Sequence, residues 1–185
     1  MLAAGLIAGC GGSSNSDTAH IELPTSQSQT LSYTPTSTTT TSTSTTPTVT
    51  TPTSGPLSKE PTITAPTTPA PTSLKTTDVV KGTGAIAKTG DTVTVNYVGA
   101  LYKGSKIFDA SWTRQTTFTT ALVSGPGGVI QGWVNGIPGM RVGGRRELII
   151  PPALGYKNVS QPTIPANSTL IFIVDLLAVT PASSG

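Results

Sequence analysis

Residues 74–185 are predicted to form an α+β fold: a curled antiparallel β-sheet wrapped around one short amphipathic helix, preceded by a disordered linker. Three observations predict it. Three segments alternate apolar and polar residues with the period of two that a half-buried strand requires. One segment places its apolar residues at helical spacing. Composition breaks near Leu74, with Thr, Ser and Pro dominating upstream and nearly all the bulky apolar residues lying downstream.

The first strand is Asp91-Thr92-Val93-Thr94-Val95-Asn96-Tyr97-Val98-Gly99. Val93, Val95 and Tyr97 share one face, and Thr92, Thr94 and Asn96 share the other. A second strand runs from Arg145 to Ile150 and stops at Pro151-Pro152. The third runs from Thr169 to Val179, with Leu170, Phe172, Val174 and Leu176 on one face and Ile171 and Ile173 on the other. Those two isoleucines read as ordinary β-formers or as an extra contact surface, the former being favoured. Between the strands, Val129, Ile130, Trp133, Val134 and Ile137 fall at helical spacing, and Pro138-Gly139 ends the helix. A domain of this size exceeds the roughly 60 residues that fold without a metal or disulfide staple.

Upstream, residues 1–10 read as a lipoprotein-type signal remnant. The apolar run Leu6-Ile7-Ala8-Gly9 ends in small residues directly before Cys10, the only cysteine, and Gly11-Gly12-Ser13-Ser14 follows. This resembles a bacterial lipoprotein signal, in which the cysteine thiol is acylated and becomes the mature N-terminus. The departure is that no basic segment precedes the apolar run. The resemblance implies membrane attachment through lipidated Cys10. Gly11 rather than an acidic residue follows, implying an extracytoplasmic position on the periplasmic face of an outer membrane. Residues 11–73 form a Thr/Ser/Pro-rich linker, with tracts such as Thr38-Thr39-Thr40-Thr41 broken by Pro35, Pro47, Pro52 and Pro56. Too little apolar surface is available there to offset the entropy of ordering, and the prolines favour an extended spacer. His20, the sole histidine, falls in the spacer and suggests no ligand site.

Charge argues against a nucleic-acid partner. From Lys75 onward, ten Lys and Arg oppose five Asp and Glu, a net +5, but only Arg141, Arg145 and Arg146 cluster, and no aromatic residues alternate with them. With one cysteine and one histidine, neither a disulfide nor a metal site is expected, and no cofactor is implied.

The stretch 128–152 carries a more specific pattern: Val129-Ile130-Gln131-Gly132-Trp133, then Gly139-Met140-Arg141-Val142-Gly143, basic residues, and the turn Pro151-Pro152-Ala153-Leu154-Gly155-Tyr156. Together with the strand ending at Tyr97-Val98-Gly99, Gly104-Ser105-Lys106-Ile107-Phe108-Asp109-Ala110-Ser111, Thr117-Phe118 and Thr169-Leu170-Ile171-Phe172, it resembles the FKBP-type peptidyl-prolyl cis/trans isomerases over the whole domain. The resemblance implies an FKBP-like fold and rotation of Xaa-Pro bonds in extracytoplasmic polypeptides, assisting their folding. It places Asp109, Tyr156, Phe108 and Tyr97 at the catalytic centre. Phe118, Val129, Ile130, Trp133, Ile164 and Phe172 would bind substrate, with Trp133 as the floor. The Tyr156 hydroxyl and the Ile130 backbone N–H would hold substrate carbonyls. Proline-containing polypeptides are the implied partners, with macrolide inhibitors beside them. Lys157 stands where the family commonly has glycine and Thr163 where it often has isoleucine, which alters the rim of the site more than its floor. Two other functional classes compete: a non-catalytic proline-peptide-binding or chaperone module on a surface stalk, separated from the enzyme by turnover of a short Xaa-Pro peptide, and a structural surface protein whose stalk is the working part.

Overall fold

The computed structural model describes residues 49–182. The expected signal segment with Cys10, and the part of the expected linker before Val49, lie outside them. The described chain forms β1 (Lys75–Val80), β2 (Thr92–Leu101), β3 (Ile107–Ala110), α1 (Ser111–Arg114), β4 (Phe118–Ala121), α2 (Gln131–Gly136), β5 (Arg145–Ile150) and β6 (Leu170–Thr180). All strand pairs are antiparallel. The sheet runs β1-β5-β6-β2-β3, and β4 also pairs with β2. The three expected strands are β2, β5 and β6, whereas β3 and β4 are only four residues long and β1, exposed along nearly its whole length, has no buried face to make its residues alternate.

β2 and β6 pair from Thr92↔Thr180 to Leu101↔Leu170, with an irregularity at Thr94/Val95. This register sets Val95 opposite Leu176 and Tyr97 opposite Val174, so the inward side chains of both strands meet α2. Val93, Val95, Leu148, Ile150, Leu170, Val174 and Leu176 form the core with Trp133, Ile137 and Met140. α2 is shorter than the apolar pattern suggests: Val129 and Ile130 stay in the preceding loop, and Ile137 caps its C-terminus. Its seat on β5 depends on a missing side chain, since a Cβ at Gly132 would lie 2.5 Å from Ile150 Cγ2.

The opposite face of the sheet differs from expectation. Ile171 and Ile173 are 1% and 6% exposed, and Asn96, Val98, Ala100 and Asp175 are also buried. The cover is the stretch 49–73, which departs from the expected disordered linker by following the back of the sheet from Val49 onward. Asn96 Nδ2 donates to Thr51 Oγ1 at 2.7 Å. Arg145 Nη2 donates to the Lys59 carbonyl at 2.8 Å while its guanidinium pairs with both oxygens of buried Asp175 at 2.5 and 2.7 Å. The Tyr102 hydroxyl meets Thr68 Oγ1 at 3.0 Å. All three anchors project from the face that carries Ile171 and Ile173. Leu57, in a 3-10 turn over Pro56–Ser58, is 4% exposed, and Pro61 is buried as well. Few apolar residues suffice for this strap because Leu57 and Pro61 are buried, the prolines' backbone is already stiff, and side chains of the sheet hold the strap by hydrogen bonds.

The arginine cluster of the sequence is dispersed by the fold. Arg145 turns inward to Asp175, Arg146 Nε meets Asp78 at 2.6 Å, and Arg141 Nη1 donates to the Gly84 carbonyl. The Arg146 guanidinium, by hydrogen bond, holds the Asp78 carboxyl below its ordinary range. Among the described residues no helix is long and apolar enough to cross a membrane.

If Leu57 pins the strap, Leu57→Ala should lower the unfolding free energy measured in urea by about 2–5 kcal/mol, the range for truncating a buried leucine. A loss below about 0.5 kcal/mol, as at an ordinary surface position, would show that the strap is not part of the folded unit.

Candidate active site

The inner face of the sheet opens between α2, β3, β4 and the turn at Tyr156 into a cavity of about 470 Å³. Tyr97, Phe108, Asp109, Phe118, Val129, Ile130, Trp133, Tyr156 and Phe172 line it, with Gly125 and Gly128. Each reaches it through a simple local rule. Tyr97 lies on the inward face of β2, and Phe172 is on the inward face of β6. Phe108 and Asp109 sit on β3, Phe118 begins β4, and Val129 and Ile130 form the loop into α2, whose first turn carries Trp133. The sequence-predicted set is thus brought together with one exception. Ile164 is 4% exposed and belongs to the core cluster rather than to the cavity wall.

Trp133 is 3% exposed and forms the base of an aromatic box. Its ring centroid lies 5.3 Å from Tyr97, 5.4 Å from Phe172 and 6.2 Å from Phe118, with interplanar angles of 77–86°. Edge-to-face packing of this kind lets each ring's positive edge meet another's negative face and makes the walls rigid. Gly99 makes room for it: a Cβ there would lie 2.7 Å from Phe172 and 2.9 Å from Phe108. Phe118 remains 36% exposed at the mouth. The Ile130 carbonyl accepts from the Trp133 N–H at 2.9 Å, while the Ile130 N–H has no protein acceptor among the described residues.

One wall is polar. The Tyr97 hydroxyl donates to Asp109, Arg114 pairs with the same carboxylate, and Arg114 Nη2 donates to the Tyr97 hydroxyl at 2.9 Å. The guanidinium carbon also lies 5.8 Å from the Tyr97 ring centre. Arg114 is the residue that sequence reasoning missed. Its signal was present: α1 brings it back beside Asp109 after one turn, but only if the short helix is foreseen. The ion pair is 49% and 41% exposed, so its worth to stability is about 0–1 kcal/mol, and its effect is to orient the carboxylate and the phenol.

Burial, followed by the hydrogen bond to Asp109, pushes the Tyr97 phenol up to about 12, and burial also raises Tyr156. Lys157, the departure from glycine noted in the sequence, takes φ 56°, the left-handed conformation glycine adopts freely. Its N–H donates to the Pro152 carbonyl and its own carbonyl accepts from the Asn167 N–H, so the loop keeps its shape at some cost in backbone strain.

An antiparallel sheet curled over one short helix, with an aromatic box between them, defines a fold class that recurs among known proteins. A family model described as FKBP-type peptidyl-prolyl cis-trans isomerase matches residues 84–177. The chain belongs to that family and is an isomerase of its type. It is 46% identical over 108 residues to the FK506-binding protein of Streptomyces anulatus, covering 57% of this chain and 86% of that protein. Over 104 residues it is 46% identical to the FKBP-type isomerase FkpA of Escherichia coli, covering 56% of this chain but 37% of the relative. The crystal structure of FkpA superposes with a TM-score of 0.54 at 44% identity over 60% of this chain and 49% of that one. That of AtFKBP13 gives 0.53 at 34% identity over 60% of this chain and 96% of the other.

Because the folded Tyr97 holds its proton more tightly than a free phenol, its contribution to stability should persist below pH 10, the ordinary phenol value, and fade as the pH rises toward 12. Spectrophotometric titration of tyrosinate should show a component near 12 that Tyr97→Phe removes. Retention of that component in the variant would mean the phenol is not held by Asp109 and burial.

Proposed function

We propose that the cavity catalyses cis/trans rotation of Xaa-Pro bonds in extracytoplasmic polypeptides, with the prolyl ring over Trp133 and the rotating amide beside Asp109, Tyr97 and Phe108. The observation that carries this reading is the aromatic box with one polar wall, an arrangement suited to binding and orientation. Rotation about the amide is slow because resonance sets a barrier near 18–20 kcal/mol. No bond is broken, so no nucleophile is needed. A twisted amide has lost resonance and much of its charge separation, and a dry apolar cavity disfavours it less than the planar form. The free Ile130 N–H and the Tyr156 hydroxyl anchor the flanking carbonyls, so that the chain on one side stays fixed while the other turns. Phe118, Val129 and Phe172 close the sides, and Asp109, fixed by Arg114, faces the amide from the wall.

The name of the Streptomyces relative, an FK506-binding protein, supports the same cavity as a macrolide site here, with Val129, Ile130 and Trp133 beneath the ligand. The lipoprotein-like run before Cys10 supports anchoring to a membrane, with the periplasmic face of an outer membrane as the position. The competing reading, a proline-peptide-binding module without turnover, has the same cavity but predicts no rate enhancement.

A protease-coupled assay of Xaa-Pro peptides tests the proposal. Partial burial of a bulky residue before proline should give Leu-Pro about a tenfold advantage over Glu-Pro in kcat/KM. Asp109→Leu should fold with a Tm close to the parent's while kcat/KM falls about five- to a hundredfold, equivalent to about 1–3 kcal/mol of transition-state stabilisation. Trp133→Ala should instead lose about 3–5 kcal/mol of stability together with activity. Full activity in Asp109→Leu would remove that carboxylate from the mechanism, and absence of turnover in the parent chain would favour the binding module.

The anchor is tested separately. Expressed behind a complete signal sequence, the chain should incorporate labelled palmitate and fractionate with membranes, and Cys10→Ser should lose both properties. An unlabelled, soluble parent chain would rule out the lipoprotein reading.

A further inference from the structure

The strap touches the catalytic wall through a relay of hydrogen bonds that crosses the sheet. Asn96 and Tyr97 are neighbours on β2, so their side chains point to opposite faces: Tyr97 into the cavity and Asn96 toward the strap. Ser111 joins the two faces. Its Oγ accepts the Tyr97 backbone N–H at 2.9 Å and donates to Asn96 Oδ1 at 3.1 Å. Asn96 Nδ2 in turn donates to Thr51 Oγ1 at 2.7 Å. Ser111 and Asn96 are 0% and 2% exposed, so each depends on its partners in the relay for hydrogen bonding.

Ser111 is also the first residue of α1, two positions after Asp109 and three before Arg114. That helix is a single turn, its N-cap residue Ala110 provides no side-chain cap, and a second cavity of about 410 Å³ lies between it and the strap, bordered by Thr51, Asn96, Ser111 and Trp112. A one-turn helix that is uncapped and open on one side gains little from its own hydrogen bonds. Hydrogen bonding to Ser111 sets where it starts, and therefore where Arg114 stands against Asp109, which the pairing of β3 with β2 already places.

We infer that Thr51 is a positioning residue of the isomerase: its hydroxyl fixes the Asn96 amide, which orients Ser111 at the start of α1 and so holds Arg114 against Asp109 and Tyr97. The order of donors gives the relay its direction. The Tyr97 N–H only donates, so Ser111 Oγ accepts it and has one proton left to give. With Nδ2 committed to Thr51, Asn96 presents Oδ1 to receive that proton. Without the threonine hydroxyl, a buried amide N–H loses its acceptor and the amide gains by turning over. Nδ2 then faces Ser111, which must redirect its proton to the Tyr97 carbonyl, already 3.5 Å away. The first turn of α1 shifts with it. Thr51 lies outside residues 84–177, so the strap adds this control to the family's domain.

The inference rests on the isomerase reading, and turnover by the parent chain, measured first in the same assay, keeps failure of the two apart. In the full chain, Thr51→Val should remain folded, lower kcat/KM about fivefold or more on a Leu-Pro peptide, and shift or broaden the NMR signals of the Tyr97 amide and the Arg114 guanidinium. Thr51→Ser, which restores the hydroxyl, should return the rate to within about twofold of the parent. Leu57→Ala serves as the second variant, because it lowers stability while keeping the Thr51 hydroxyl: it should lose Tm but keep kcat/KM within about twofold at a temperature where it is folded and the strap is seated. Unchanged activity in folded Thr51→Val, failure of Thr51→Ser to rescue, or an equal loss in Leu57→Ala would each overturn the inference. If Thr51→Val does not fold, Thr51→Ala takes its place: a folded variant slowed about fivefold or more, with the Tyr97 amide signal shifted, supports the relay, and a rate within about twofold of the parent sinks it.

Discussion

Everything in this domain hangs on β2 being buried on both faces and paired on both edges. β6 lies along one edge, β3 and β4 share the other, α2 covers the inner face and the strap the outer one. A strand so confined has almost no freedom of register, because a slip by one residue would turn Tyr97 out of the cavity and Asn96 into it. The aromatic box inherits that rigidity. Tyr97 stands where the pairing with Val174 puts it, and the bare Cα of Gly99 leaves the space that Phe108 and Phe172 fill.

The chemistry follows from the contrast between the two sides of the cavity. Four aromatic rings packed edge to face give a hard apolar pocket whose shape does not adapt to each ligand. The polar wall is softer: an exposed ion pair and a phenol hold one another by mutual hydrogen bonds rather than by close packing. A binding site for a planar amide that must twist benefits from both, since the ring is gripped and the amide meets groups that tolerate small movement.

Much of this was legible in the chain itself. The long alternating strands announced themselves, as did the helix bearing Trp133, because periodicity reports burial on one face. The family pattern spread over the whole domain then pointed to nearly every cavity residue. Three things were hidden. β3 and β4 are too short for their alternation to rise above chance, and β1 is exposed along nearly its whole length, so its residues do not alternate. Arg114 approaches Asp109 only through a one-turn helix whose sequence, Ser111-Trp112-Thr113-Arg114, carries no capping signal. Ile164 was implied by the resemblance as a binding residue but is buried in the core and does not line the cavity. The strap was the largest surprise: residues 49–73 have the composition of a spacer, yet a single leucine, a few prolines and main-chain carbonyls suffice when the receiving surface already offers buried isoleucines and unpaired donors.

That last feature alters where the domain begins. Composition sets the border at Leu74, whereas protease resistance should extend upstream through the strap, since a bond there can be cut only after Leu57 leaves its site and Arg145 gives up the Lys59 carbonyl. A fragment trimmed at residue 74 would carry Ile171 and Ile173 uncovered on the back of its sheet. Self-association or precipitation of such a fragment would then reflect the loss of its own N-terminal cover rather than an assembly property of the intact chain.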